Sequence, residues 1–426
     1  MSTTMSTRHS VPVLDGLKNI TGPLADLYRD LHSHPELSNQ EHRTAAKAAE
    51  QLEWAGCDVT TGVGGTGVVG VLRNGDGPTV MLRADMDGLP VKEATGLPYA
   101  STVTAPGPDG HDVPVMHACG HDMHVTWLAG ATKLLARAPD AWHGTLVSLF
   151  QPAEELGTGA QAMIDDKLFE RFPKPDVILG QHVMPPPAGQ ITYRAGVTQS
   201  EEDNIEVRLF GRGGHGAWPE STVDPVVMAA ATVLRLQTIV SREVAAFEPV
   251  VVTVGALQAG AKGNVIPDDA VLKINVRTFD STVRTRVLAA IERIVKAEAT
   301  ASGAPEPPAF RYFDHFALTV NDRQLAEHVG SAFRGYFGAE RVHELTNPLP
   351  VSEDFGLLGS ESGVPSLFWY VGGTDPDLYQ HAEKAGRLAQ DVPTNHSSRF
   401  APVLHPTLET GIQALTVASL SHLGVG

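Results

Sequence analysis

Apolar positions recur at helical spacing over residues 15–32 and 41–55, while 68–73 and 79–84 read as extended segments. A helix is predicted over 123–138. The short apolar runs 145–150 and 177–179, bounded by turn residues, read as buried strands of an α/β sheet. Polar residues follow each run: Asp85 and Asp87, then Glu154 and Glu155, then His182. Ligands of open α/β sheets bind beyond the carboxyl ends of the strands, so these positions are where chemistry is expected.

From about Val197 the order of elements changes. Strand 204–210, helix 224–241, strands 249–257 and 270–279, helix 282–300 and strand 309–316 make βαββαβ, the ferredoxin-like order. A proline-rich loop, Met184-Pro-Pro-Pro187, precedes this block and a turn at Asn321-Asp322 follows it. Helix 323–337, strand 366–371 and a closing helix from Pro406 then resume the first pattern. The expected fold class is α/β, a discontinuous domain of residues 1–196 and 318–426 interrupted by an α+β insertion at 197–317.

Composition fits two cores: 426 residues, 42% of them hydrophobic. A net charge of −17, from 32 basic and 49 acidic residues, disfavours nucleic acid and anionic membrane surfaces and leaves small molecules as the expected partners. No apolar run reaches the length of a membrane span, and the first 17 residues lack the apolar core of a signal peptide, so the expected location is cytoplasmic. The two cysteines, Cys57 and Cys119, allow one bridge at most. In a reducing compartment Cys57 reads as structural and Cys119 is available as a thiolate.

One glycine motif competes for attention. Gly62-Val-Gly-Gly-Thr-Gly67 fits G-x-G-x-x-G, with Asp85 placed 18 residues on, where a ribose-binding acid would stand. Nucleotide binding requires a helix after the glycines, but the β-branched Val68-Val-Gly-Val-Leu72 follows, which favours a hairpin turn.

The densest donor run is His117-Ala-Cys-Gly-His-Asp-Met-His124. Cys119 and His121 lie two apart, so an extended backbone would aim both one way, toward a shared metal ion; the plain alternative is a buried thiol beside capping histidines. Gln151-Pro-Ala-Glu-Glu155 sets two carboxylates beyond a strand. Metal-assisted hydrolysis needs one to hold the ion and another to move the proton, although acids also gather at helix N-termini for electrostatic reasons. His182 and His396 stand at ligand-like positions, whereas His111, His117, His124 and His143 read as scaffold.

Taken together, Arg83-Ala-Asp-Met-Asp-Gly-Leu-Pro90, Val115 to Asp122, Gln151 to Glu155, Gly213-Gly-His-Gly216, Asn264-Val-Ile-Pro267 and Asn395-His-Ser397 resemble the aminoacylase and carboxypeptidase family of two-metal amidohydrolases. The nearest branch is that of hippurate and auxin-conjugate hydrolases. The resemblance implies a mixed-sheet metallopeptidase-like catalytic domain with an inserted ferredoxin-like lid that also forms a homodimer. It implies two divalent ions (Mn, Zn or Co) on Cys119, His121, Glu155, His182 and His396, Glu154 as general base and then acid, and Asp85 orienting the site. Cys119 would be a ligand rather than a nucleophile, having no evident histidine dedicated to activating it. His215 could donate to the oxyanion, from its own or the partner subunit. Asn264 and Arg277 are candidates to grip a substrate carboxylate, with a strand-surface ion pair the equal alternative for Arg277. The implied reaction is hydrolysis of an N-acyl or N-aroyl amino acid. A dipeptidase or carboxypeptidase would use the same site, and a silent binding protein could share the fold. Departures from the pattern at Trp218-Pro-Glu220, in the long 374–391 segment and after His396 bear on pocket shape.

Overall fold

The structure, a computed structural model, describes residues 11–107 and 110–425. The first ten residues, on which part of the signal-peptide reading rests, lie outside it. The chain divides into two compact units, one of Met1–Thr198, Val320–Asn347 and Asp354–Gly426, the other of Gln199–Thr319 and Pro348–Glu353. No helix among the described residues is long and apolar enough to cross a membrane.

The first unit is built on a mixed sheet. Strand Thr79–Asp85 lies parallel between Trp142–Gln151 and Val177–Pro187, and Ser366–Thr374 runs parallel on the far side of the last. Asp58–Val63 and Gly67–Asn74 form an antiparallel hairpin at one edge, so the glycine motif turns a hairpin and no helix follows it. Helices Leu17–Ser33, His42–Trp54, His121–Ala136 and Leu404–Leu420 bury their apolar residues with the sheet in one core that includes Tyr28, Trp127 and Trp369. The middle strands are buried on both faces, which is why they read as unbroken apolar runs.

Local chemistry shifts several expected boundaries. The strand from Val177 extends to Pro187, so His182 lies inside it and the prolines continue the extended path instead of forming a loop. Helix His121–Ala136 starts two residues before the expected boundary. The 374–391 segment holds two short helices, Pro376–Lys384 and Leu388–Asp391, the first capped by the Asp375 side chain.

The second unit has an antiparallel sheet ordered Val250–Ala259, Asp269–Thr278, Glu201–Phe210, Ala309–Phe316. Numbered along the chain this is 2-3-1-4, the ferredoxin-like arrangement, with helices Pro225–Thr238 and Ser281–Ala301 completing a separate apolar core.

Candidate metal centre

Parallel strands deliver side chains to one sheet edge. Asp85 ends its strand in register with Gln151, and the chain beyond Gln151 turns sharply: Ala153 is left-handed (φ 48°), and a short 3-10 turn, Glu154–Leu156, presents both glutamates. The Cys119 turn is equally abrupt. Gly120 sits at φ 84° against the Val183 side chain, where a Cβ would collide, and His121 is the first residue of the helix that follows. The expected extended Cys-x-His geometry is therefore replaced by a left-handed turn into a helix. His396, also left-handed (φ 69°), is anchored by its own N–H to Ala118 O at 2.8 Å.

These turns converge. Donor atoms of Cys119, His121 and His182 lie within 4.8 Å of one another, as do those of Cys119, Glu155 and His396, and those of His121, Glu154 and Glu155. Cys119 and His121 each belong to more than one group, so the donors form a dinuclear divalent-metal site. Asn395 fastens it, donating from Nδ2 to Cys119 O (3.2 Å) and Val183 O (3.1 Å).

The donor set fits divalent ions atom by atom. His182 Nδ1 donates to Val183 O at 2.7 Å, which leaves Nε2 as a lone pair, 3.3 Å from Cys119 Sγ. Burial, reinforced by His124, holds His182 well below the usual histidine range, in the neutral form that ligates metal. His121 Nδ1 faces Asp87 Oδ1 at 3.2 Å, while its buried Nε2 has no hydrogen-bond partner, and neither does buried Oε1 of Glu155, 3.9 Å away. Two orphaned polar atoms facing each other in a buried site call for something to bridge them. Burial alone would pull His121 down, but Asp85, Asp87 and Glu155 outweigh it and push it up to about 10. That field demands positive charge at this point, whether a proton or a cation.

Asp87 is the residue the sequence reading left without a role. It is buried, meets His121 Nδ1 with one oxygen, and with the other accepts from Ser38 Oγ (2.6 Å) and Glu155 N (3.0 Å). Asp85 instead takes Arg83 Nη1 at 2.7 Å and His124 Nδ1 at 2.5 Å, and stands 3.7 Å from His121 Nε2. His124 is held at both nitrogens, since Nε2 accepts from Val183 N at 2.8 Å, so the scaffold reading describes it although Asp85, His121 and His124 lie close enough to suggest a metal group. Arg83 also donates to Gln151 and Asp354, and Asp354 accepts from Gln151 and Ala160 N, a buried network that locks the strand ends. A histidine, the expected ligand His182, does stand beside Cys119. That histidine, however, spends its N–H on a backbone carbonyl and has no carboxylate to orient it as a base.

The second unit carries the remaining candidates. Gly213 passes so close to the neighbouring strand that a Cβ would lie 2.6 Å from Ile266 O, and the two-residue ladder that follows pairs His215 with Val265, next to Asn264. Ala217 N donates to His215 Nδ1 (3.0 Å), which places the proton on Nε2 and makes that edge of the ring a donor. Arg277 is engaged by Glu202 Oε2 (2.8 Å), Pro350 O (3.1 Å), Ser352 Oγ (3.1 Å) and Asn275 Oδ1 (3.2 Å), the ion-pair alternative for this residue.

Behind the metal-ligand cluster, His32 is fully buried between Asp122 Oδ2 (2.6 Å) and Glu93 Oε1 (3.1 Å), with the rings of Tyr28 and Tyr99 against it and His117 nearby. Burial pulls its pKa down, but Asp122 and Glu93 outweigh burial and raise it to about 9. Because the folded value lies above the unfolded one, this contribution is fully present below pH 6.5 and lost as pH rises through about 9; a shift of this size is worth on the order of 3 kcal/mol. The stability difference between the parent protein and His32→Leu, from denaturant titrations, should shrink between pH 7 and pH 10. A difference that does not change with pH would mean that His32 folds as the neutral ring.

Comparison with known proteins agrees with this arrangement. Residues 81–394 match the family model of peptidase family M20/M25/M40. The hippurate hydrolase of Campylobacter jejuni is 37% identical over 341 residues, 80% of this chain and 85% of that one. An IAA-amino acid hydrolase of Arabidopsis thaliana is 34% identical over 82% of this chain and 77% of its own. Among solved structures, the Bacillus subtilis YXEP protein, a dinuclear metal binding peptidase, aligns with a TM-score of 0.73 at 28% identity, covering 95% of this chain and 98% of that one. With its match spanning residues 81–394, the chain belongs to peptidase family M20/M25/M40.

Proposed function

We propose that this protein is a metal-dependent amidohydrolase that cleaves N-acyl or N-aroyl amino acids to a carboxylic acid and a free amino acid. The observation that carries the reading is the pair of buried, orphaned donors, His121 Nε2 and Glu155 Oε1, at the meeting point of Cys119, His182, His396 and Glu154. In this reading Cys119, His121, Glu155, His182 and His396 hold two ions, which supply, when bound, Lewis acidity toward water and the scissile carbonyl.

The chain's own groups do the rest. Glu154, 5% exposed and 3.8 Å from His121 Nε2, takes a proton from the attacking water and returns it to the leaving amine. Asp87 keeps the His121 proton on Nδ1 so that Nε2 faces the site, and Asp85 holds His124 against the His182 strand. His215, with its proton on Nε2, donates to the developing oxyanion from its own or a partner subunit. Asn264 receives the substrate carboxylate, and Arg277 joins it only by exchanging Glu202 for the substrate. A panel varying acyl group and amino acid separately, on protein reconstituted with Mn, Zn or Co, tests the assignment. Hydrolysis is expected to fall roughly 10–100-fold when the substrate carboxylate is amidated, the worth of one or two charge-assisted hydrogen bonds. No turnover on any acyl or peptide substrate at full metal occupancy would favour a binding protein instead.

We place the enzyme in the cytoplasm as a homodimer joined through the inserted unit. Its strand Val250–Ala259 is a sheet edge, and helix Pro225–Thr238 exposes Val227 (65%) and Leu234 (73%), seven residues apart and so on one face. Val227→Glu combined with Leu234→Glu should raise the dimer dissociation constant roughly 100-fold, equivalent to losing about 3 kcal/mol of apolar burial. Light scattering would read this as monomer, and an unchanged mass would put the contact elsewhere.

A further inference from the structure

The ligand-bearing segments come from distant parts of the chain, and one side chain outside the donor set ties two of them together. His32 lies in the last turn of helix Leu17–Ser33. Its Nδ1 meets Asp122, the residue after His121 in the first turn of helix His121–Ala136, while its Nε2 meets Glu93. Glu93 is fixed in turn by Ser101 N (2.6 Å) and the Thr95 hydroxyl. The next residue, Ala94, donates its N–H to Ser398 O at 2.7 Å, two positions beyond His396. Hydrogen bonds joined by the Glu93-Ala94 backbone thus lead from the helix that starts with His121, through His32, to the turn that presents His396.

We propose that His32 is a positioning residue for the metal centre: by gripping Asp122 and Glu93 at once, it sets the rotation of the helix bearing His121 against the loop that carries His396. Both ring nitrogens face carboxylates, so both donate and the ring is the cation. Held from both sides, the ring has one orientation, and removing it would leave two buried carboxylates without their shared partner. Neighbouring helix positions point about 100° apart, so tethering Asp122 determines where its neighbour His121 aims. Outer partners of this kind commonly change metal affinity 10–100-fold when removed. The proposal rests on the two-ion reading of the site.

The test uses the full chain and Mn2+ alone as probe. Stoichiometry and affinity are measured by chelator competition for the parent, His32→Gln and Glu93→Gln, alongside the melting temperature of each metal-free protein. The parent is expected to bind two ions. Both variants should bind at least one of them 10–100-fold more weakly while still melting cooperatively. Folded variants that bind both ions within twofold of the parent, with only the melting temperature lowered, would make His32 purely structural and overturn the proposal. Should His32→Gln fail to fold, Glu93→Gln, which keeps the His32–Asp122 pair, decides by the same criterion. A folded parent that binds no Mn2+ would instead overturn the two-ion reading itself, a result separate from any effect of the variants.

Discussion

Glu154→Gln should leave the metal complement intact and lower kcat by roughly 10²–10⁴-fold, the usual worth of a positioned general base. The substitution keeps the shape of the side chain and removes its ability to accept a proton. Its neighbour is the natural control. Glu154 and Glu155 leave the same 3-10 turn and both approach His121 Nε2, at 3.8 and 3.9 Å, but Glu155 also spans to His396, its Oε2 lying 3.4 Å from His396 Nε2, between donors that belong to different groups. Glu155→Gln should therefore lose bound metal, whereas Glu154→Gln should lose turnover alone. Metal analysis together with saturation kinetics separates the two, and an undiminished kcat in Glu154→Gln would remove it as the base.

That both acids stand just beyond a buried strand was legible in the chain, and the reason is physical. The strands ending at Asp85 and Gln151 and the first half of the strand that carries His182 are buried on both faces, and burial leaves a run of apolar residues that any reading of periodicity detects. The ferredoxin-like order was equally plain, because each of its elements has its own period. Turn geometry was not. Nothing in Cys-Gly-His says whether glycine continues an extended chain or enters the left-handed region, nor that the Val183 side chain, contributed from far along the sequence, leaves no room there for a Cβ. The long strand through Pro187 was hidden because proline argues locally against a ladder, and only pairing with Ser366–Thr374 overrides that.

Second partners were harder still. Asp87 had a signal, since it stands two residues after Asp85 at the same strand end, but nothing said which of the two would meet His121. Asp354 had none: its role comes from a long-range contact with Arg83, which only folding reveals. Arg277 was left open between substrate and ion pair because strand periodicity cannot show that Glu202, its directly paired neighbour on the next strand, lies within reach.

Metal removal is expected to abolish hydrolysis altogether, with activity returning on addition of Mn, Zn or Co, and the reason lies in the charge around the site. Asp85, Asp87, Glu154 and Glu155 converge with the Cys119 sulfur around His121, and the buried guanidinium of Arg83, which pairs with Asp85, is shared with Asp354. Stripping the ions leaves these acids facing one another, so the metal-free protein should also melt lower. Rebinding at a thousandfold excess over the dissociation constant restores about 4 kcal/mol per site. The thiol gives the experiment its second edge. If the metal-free protein still turned over, the close Cys119 Sγ and His182 Nε2 contact would offer the alternative, a thiol nucleophile, and Cys119→Ser would then decide. Chelator-resistant turnover that Cys119→Ser abolishes would overturn the metal mechanism. Turnover lost to the chelator and recovered with metal fits Cys119 as an ion's ligand, which is what His182, with its N–H committed to Val183 O, is arranged to share with it.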